Sequence, residues 1–164
     1  MKRYLTKTSG IVAFLAVLTF SAVQAAGQLG VTGCDDGNRI SGPRLDESSF
    51  RGKVVMIDYW GRGCGPCRAI LPRVQQTWEA FNHKPFLIVG SHVQRRDDAA
   101  VKAILKEAGV RYPVYQDLRI EGTPEFRAIP FICVFDPRGT LLYSGHSLQD
   151  ATEAAVRAFQ PPAR

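Results

Sequence analysis

The stretch Val54-Val55-Met56-Ile57-Asp58-Tyr59-Trp60-Gly61-Arg62-Gly63-Cys64-Gly65-Pro66-Cys67 decides the reading of this chain. Its first seven residues form a nearly continuous apolar run of β-branched and aromatic side chains, the pattern of a strand buried on both faces. One acid, Asp58, interrupts it. A turn follows, and then a helix whose apolar positions Ile70, Leu71, Val74, Trp78 and Phe81 recur at helical spacing. The two cysteines therefore stand where a buried strand turns into a helix. That placement puts Cys64 at the helix N-terminus, where unpaired N–H groups and the positive end of the helix dipole stabilise an anionic sulfur. A lowered thiol pKa raises the population of thiolate, the attacking species. Two intervening residues bring the second sulfur within bonding range, and Pro66 suits a first helical turn because its missing N–H has no partner to lose there. Cys64 is expected as the exposed nucleophile and Cys67 as the more buried resolving thiol, with Arg62 and Arg68 adding positive charge beside them.

Working outward, Phe86 to Val89 reads as a second buried strand, and Asp97 to Ala108 as a second helix closed by Gly109. Alternating strands and helices imply βαβ units with a parallel core. Phe131 to Phe135 is a third strong strand. Asp136-Pro137-Arg138-Gly139 reads as a turn into an antiparallel partner, Leu141 to Ser144, and Asp150 to Phe159 as a closing helix. The expected architecture is a single α/β domain with a central mixed sheet flanked by helices. Residues 26–48 carry no convincing period and read as a loose arm leading into a strand or hairpin, with the domain proper at 49–164.

Two other uses of the cysteine pair compete with redox chemistry. A metal site would take Cys-x-x-Cys as half of its ligands, but no second such motif exists and the three histidines, His83, His92 and His146, are scattered. No metal or other cofactor is therefore expected. A purely structural disulfide fits poorly with Gly-Pro at a helix start. A peroxidase would need a lone reactive cysteine in a Thr/Pro-rich loop, and none is found.

The segment from Asp58 to Cys67, entered through Phe50-Arg51-Gly52-Lys53-Val54-Val55, resembles the active-site stretch of the thioredoxin superfamily, in particular its exported thiol-disulfide oxidoreductases of the TlpA and ResA type. The likeness runs from about Ser49 to Phe159. Pro72, five residues after Cys67, matches the proline within the active-site helix of that family, and Ile129-Pro130 matches its cis-proline. The resemblance implies a thioredoxin-like fold, a redox-active Cys64–Cys67 disulfide, and Asp58 as a buried acid that relays a proton to or from Cys67. It also implies a substrate groove lined by Trp60, Pro66, Ile129 and Pro130. Departures are visible. Gly63 stands where the family carries a tryptophan, so part of the apolar docking surface is missing. Phe131 stands where the cytochrome-maturation members carry a glutamate, which argues against haem-site cysteines as the substrate. The implied activity is reduction of protein disulfides, with a membrane-bound donor resupplying electrons and the protein acting as a monomer. The alternative is a metallochaperone-like module in which the reduced pair holds Cu(I).

The N-terminus sets the compartment. Met1 to Gly10 is short and basic, Ile11 to Phe20 is apolar except for Thr19, and Ser21 to Ala26 ends in small residues. This order reads as a signal peptide over 1–25, cut before Ala26. Ile11 to Val23 is too short for a crossing helix, which needs about 20 residues, so no membrane span is expected after cleavage. Val31-Thr32-Gly33-Cys34 resembles a lipoprotein box and gives a second, minority route of processing. Either route places the mature chain outside the cytoplasm, in the periplasm or its equivalent, where thiols oxidise. Cleavage also changes the charge. Removing Lys2, Arg3 and Lys7 leaves 18 of the 21 basic residues against 15 acids, a balance of +3 rather than +6, which excludes an electrostatic nucleic-acid footprint. Among the remaining residues, Cys133 reads as a small core side chain and His92 as a surface-loop histidine, the alternative being a place on the active-site edge that parallel strands share. Cys34 could pair with Cys133 only if the arm packs on that strand. Arg95-Arg96 reads as a helix approach neutralised by Asp97-Asp98.

Overall fold

The computed structural model describes residues 29–159; the signal-peptide reading falls outside them. Eight strands and three α-helices follow one another as β1 (Val31–Thr32), β2 (Arg39–Ser41), a 3-10 turn at Glu47–Phe50, β3 (Val54–Trp60), α1 (Gly65–Phe81), β4 (Phe86–His92), α2 (Asp98–Glu107), β5 (Val114–Gln116), β6 (Arg119–Ile120), β7 (Phe131–Phe135), β8 (Leu141–Gly145) and α3 (Leu148–Ala158). Six strands make one mixed sheet in the order β2-β5-β4-β3-β7-β8, and β1 pairs with β6 in a separate two-stranded ribbon.

The apolar run Val54–Trp60 takes the centre because every one of its residues is buried. It lies parallel to β4, from Val54↔Phe86 to Trp60↔His92, and antiparallel to β7, from Val55↔Phe135 to Tyr59↔Phe131. With neighbours on both edges, its alternate side chains supply two cores. Val54, Met56 and Trp60 join Cys67, Leu71 and Val74 of α1 and Ala151 and Ala155 of α3 on one face. Val55, Ile57 and Tyr59 join Phe131, Cys133 and Phe135 on the other. A period of two places Asp58 on the helical face, between Met56 and Trp60. The turn expected at Asp136 is present: its Oδ1 accepts the N–H groups of Arg138 and Thr140, both at 2.8 Å, and Gly139 takes the φ of +83° that few other residues tolerate.

Two expectations change here. Residues 29–48 are not a loose arm. β2 extends the main sheet beside β5, Ile40 and Leu45 are buried, and the Leu45 N–H donates to the Tyr115 hydroxyl at 2.8 Å. Their short strands, with one apolar residue each, leave no readable period, and pairing with the distant β5 and β6 is what orders them. Second, β4 runs to His92 rather than stopping at Val89. Gly90, Ser91 and His92 carry no strand signal of their own, yet they pair with β5 from Gly90↔Val114 to His92↔Gln116. His92 is consequently buried within the sheet rather than lying on a surface loop. Among the described residues, no helix is long and apolar enough to cross a membrane.

Candidate active site

Cys64 and Cys67 are joined as a disulfide at the head of α1. Cys64 is the N-cap: its backbone is extended, and its Sγ accepts the Cys67 N–H at 3.1 Å. One of the orphan donors of the helix is thereby aimed at the sulfur that would carry negative charge after reduction. Cys67 is fully buried in the helical-face core, whereas Cys64 is partly exposed and Pro66 is exposed. The Ile129–Pro130 peptide bond is cis, and the Ile129 carbonyl oxygen lies 3.5 Å from Cys64 Sγ. Cys64 and the Ile129–Pro130 bond are therefore neighbours, with Pro66 exposed in the first turn of α1. Trp60 does not join them. Its side chain is fully buried and meets the His92 ring edge-on, with centroids 5.3 Å apart, so it is a core residue rather than a groove wall. The strand parity that makes the helical face apolar turns Trp60 inward, beneath the site.

Asp58 is fully buried, and neither carboxylate oxygen has a hydrogen-bond partner among the described residues. Burial alone pushes its pKa from the ordinary 3.8 to about 7. Trp60 Nε1 and the Tyr112 hydroxyl are likewise buried without partners. Gly90, opposite Asp58 in β4, leaves room among them: a Cβ there would stand 3.2 Å from the Tyr112 ring and 3.4 Å from Trp60 Nε1. Desolvation holds the Tyr112 phenol well above its usual pKa, and the nearby Asp58 charge adds to the effect.

The turn before Cys64 is held by His92, for which a surface loop is the favoured sequence reading, and by Gln94 and Gln116, which carry no sequence signal. Gln116 Nε2 donates to the Gln94 carbonyl at 3.0 Å and to the Asp117 carboxylate at 2.8 Å. Both of those oxygens can only accept, so Gln116 Oε1 must face His92 Nδ1, 2.9 Å away. Nδ1 therefore carries the proton of a neutral imidazole, and Nε2 accepts the Arg62 N–H at 3.2 Å. The Gln94 side chain adds a second anchor by accepting the Gly63 N–H at 2.9 Å. His146, sixteen residues beyond Pro130, donates from Nδ1 to the Pro130 carbonyl at 2.6 Å. No local pattern flags His92, Gln94 or His146, because strand pairing and the β8–α3 corner bring them to the site. Replacing His92 with Phe should leave the Arg62 N–H and Gln116 Oε1 unpaired, at a cost of about 1–3 kcal/mol. Amide exchange at Arg62 should then rise about tenfold, what 1.4 kcal/mol allows; unchanged exchange there would show that His92 does not hold the turn.

The remaining cysteines lie elsewhere. Cys133 is buried, and desolvation pushes its thiol up to about 12. Cys34 is half-buried at the edge of the same core, its pKa raised chiefly by burial. Both are free thiols.

The sequence pattern of the AhpC/TSA family matches residues 33–144, from just after β1 into β8. The chain belongs to the AhpC/TSA family. This AhpC/TSA protein is similar to the thiol-disulfide oxidoreductase ResA of Bacillus thuringiensis (strain Al Hakam), at 23% identity over 126 residues that cover 74% of this chain and 72% of the relative. Among solved structures it is similar to a thiol:disulfide interchange protein of the thioredoxin family from Chlorobium tepidum TLS. The two share 22% identity and a TM-score of 0.65 over 80% of this chain and 94% of the other. A secreted Mycobacterium tuberculosis disulfide oxidoreductase matches at 19% identity and a TM-score of 0.57, covering 84% of this chain and 98% of the other. The fold of the AhpC/TSA protein is thus thioredoxin-like, as the segment from Asp58 to Cys67 implied.

Proposed function

We propose that this protein is an extracytoplasmic thiol-disulfide oxidoreductase that reduces disulfides in other proteins. The observation that carries this reading is the asymmetry of the pair: Cys64 is partly exposed and capped by the Cys67 N–H, while Cys67 is buried behind it. In the reduced protein the Cys64 thiolate attacks a partner disulfide. The partner S–S bond breaks, a mixed disulfide forms, and the partner's leaving sulfur takes up a proton. Cys67 gives its proton to Asp58 and attacks Cys64 Sγ, which frees the second partner sulfur and leaves the Cys64–Cys67 disulfide. Two electrons pass from protein to partner. Pro66, Ile129 and Pro130 border the attack path, with the Ile129 carbonyl beside Cys64 Sγ.

The compartment follows from the three-zone N-terminus and agrees with the secreted Mycobacterium tuberculosis relative. Signal cleavage before Ala26 is preferred to lipidation at Cys34, because processing there would remove β1 from its pairing with β6. A membrane-bound donor resupplies electrons, and the protein acts as a monomer.

The direction of flow rests on the dipeptide and on Asp58. Pro66 supplies no hydrogen-bond donor to the thiolate, and ionised Asp58 opposes its formation, so the dithiol is a strong reductant. Its potential should lie nearer the roughly −270 mV of thioredoxin than the −120 mV of DsbA. Redox titration against glutathione checks this: a potential above about −180 mV, the value of a disulfide isomerase, would overturn the reductase assignment.

A further inference from the structure

Beside the disulfide, on the flank away from Ile129–Pro130, lies a groove of about 510 Å³ bordered by Arg62, Gly63, Arg68, Gln94, Arg95 and Ile104. Three guanidinium groups surround it, and their local neutralisation is thin. Arg62 reaches Asp97 at 3.8 Å, yet that carboxylate also caps α2 by accepting the Ala100 N–H at 3.2 Å. Asp98 is taken by Arg96, which lies outside the groove, at 2.8 Å. Arg68 and Arg95 are exposed and have no carboxylate within salt-bridge distance among the described residues. Arg68 also stands in the opening turns of α1, where the helix dipole disfavours a cation. Fold stability therefore gives no reason for this charge. Gly63 keeps the groove open, since a side chain there would begin 3.3 Å from Gln94 Oε1.

We propose that this groove recognises acidic residues flanking the disulfide of a protein substrate. The proposal rests on the reductase reading and adds a substrate class to it. With Cys64 directly after Gly63, a polypeptide whose disulfide meets Cys64 lays its neighbouring residues across Arg62, Arg68 and Arg95. Carboxylates there gain bidentate hydrogen bonds and two to three partly exposed ion pairs. Their combined effect is about tenfold in rate at low salt, screened as ionic strength rises.

The test uses the reduced mature protein and three synthetic peptides, each closed by one internal disulfide and flanked by Glu-Glu, Ser-Ser or Lys-Lys. The Glu-flanked peptide should be reduced about tenfold faster than the Ser-flanked one, and the Lys-flanked peptide more slowly. The preference should shrink towards unity in 0.5 M salt. In the Arg68→Ser/Arg95→Ser variant the Glu-to-Ser ratio should fall to about two or less; both arginines are solvent-exposed, so thermal stability should stay near that of the parent. Measurable reduction with equal rates for all three peptides, or a preference kept in the double variant, overturns the groove alone. Failure to reduce any peptide overturns the reductase reading and this proposal together.

Discussion

Replacing Cys64 with serine is expected to abolish reduction of a generic protein disulfide such as that of insulin, by about 10⁴-fold or more, the scale on which deleting a nucleophile acts. A serine hydroxyl is not ionised near neutral pH and cannot form the mixed disulfide on which turnover depends. The fold should survive, because serine is itself a favoured N-cap and its Oγ can accept the Cys67 N–H that Sγ accepts now. Thermal melting checks that point. Cys67→Ser should behave differently: attack proceeds, but the mixed disulfide is not resolved and the partner stays covalently bound. Turnover retained in Cys64→Ser, or partners trapped equally by both variants, would refute the assignment of Cys64 as the attacking sulfur.

The second large effect concerns Asp58. Its carboxyl titrates near 3.8 when the chain is unfolded and at about 7 in the fold, with burial as the cause. Between those values the native state holds a proton that the unfolded state has lost. Stability is therefore greatest below about pH 4 with respect to this group, and falls as pH rises through about 7. At 1.36 kcal/mol per pH unit the fall approaches about 4 kcal/mol. Asp58→Asn removes that dependence. The buried amide lacks partners just as the carboxyl does, at a cost of about 1–3 kcal/mol that does not vary with pH. Urea denaturation at pH 5 and pH 8 should show the parent losing about 3 kcal/mol between the two, the part of the fall that lies between pH 5 and about 7, while the variant stays level. Parallel pH dependence in both proteins would mean that Asp58 is not the group responsible. If Asp58 takes the Cys67 proton, the variant should also lose the group titrating near 7 from the rate of mixed-disulfide resolution.

Much of this was legible in the chain. Val54–Trp60 announces a central strand because seven consecutive buried residues have to be apolar or exceptional, and Asp58 is the exception. The head of α1 is equally plain, since a strand-to-helix turn places the first cysteine at the cap whatever else the chain does. Phe131–Phe135 and the Asp136–Gly139 turn follow from local chemistry of the same kind. These features depend on neighbours within a few residues, where side-chain period, capping and turn preferences act directly. They were enough to determine the α/β class, the place of the cysteine pair at the head of α1 and the acid inside the central strand.

The rest was decided by contacts between distant segments. β2 and β1 exist because β5 and β6 offer free edges, not because residues 29–48 prefer extended backbone. Trp60 turned out to be interior rather than groove-lining once α1 and α3 covered its face of the sheet. His92 became a buried imidazole with one fixed tautomer because β4 runs on against β5, which brings Gln116 and the Arg62 N–H to its two nitrogens. Arg95 shares a groove with Arg62 and Arg68 although some thirty residues separate them. A hydrogen bond or an ion pair is a condition on positions in space. Local sequence determines what a side chain can do, and only the closed fold decides which groups stand within about 3 Å of it.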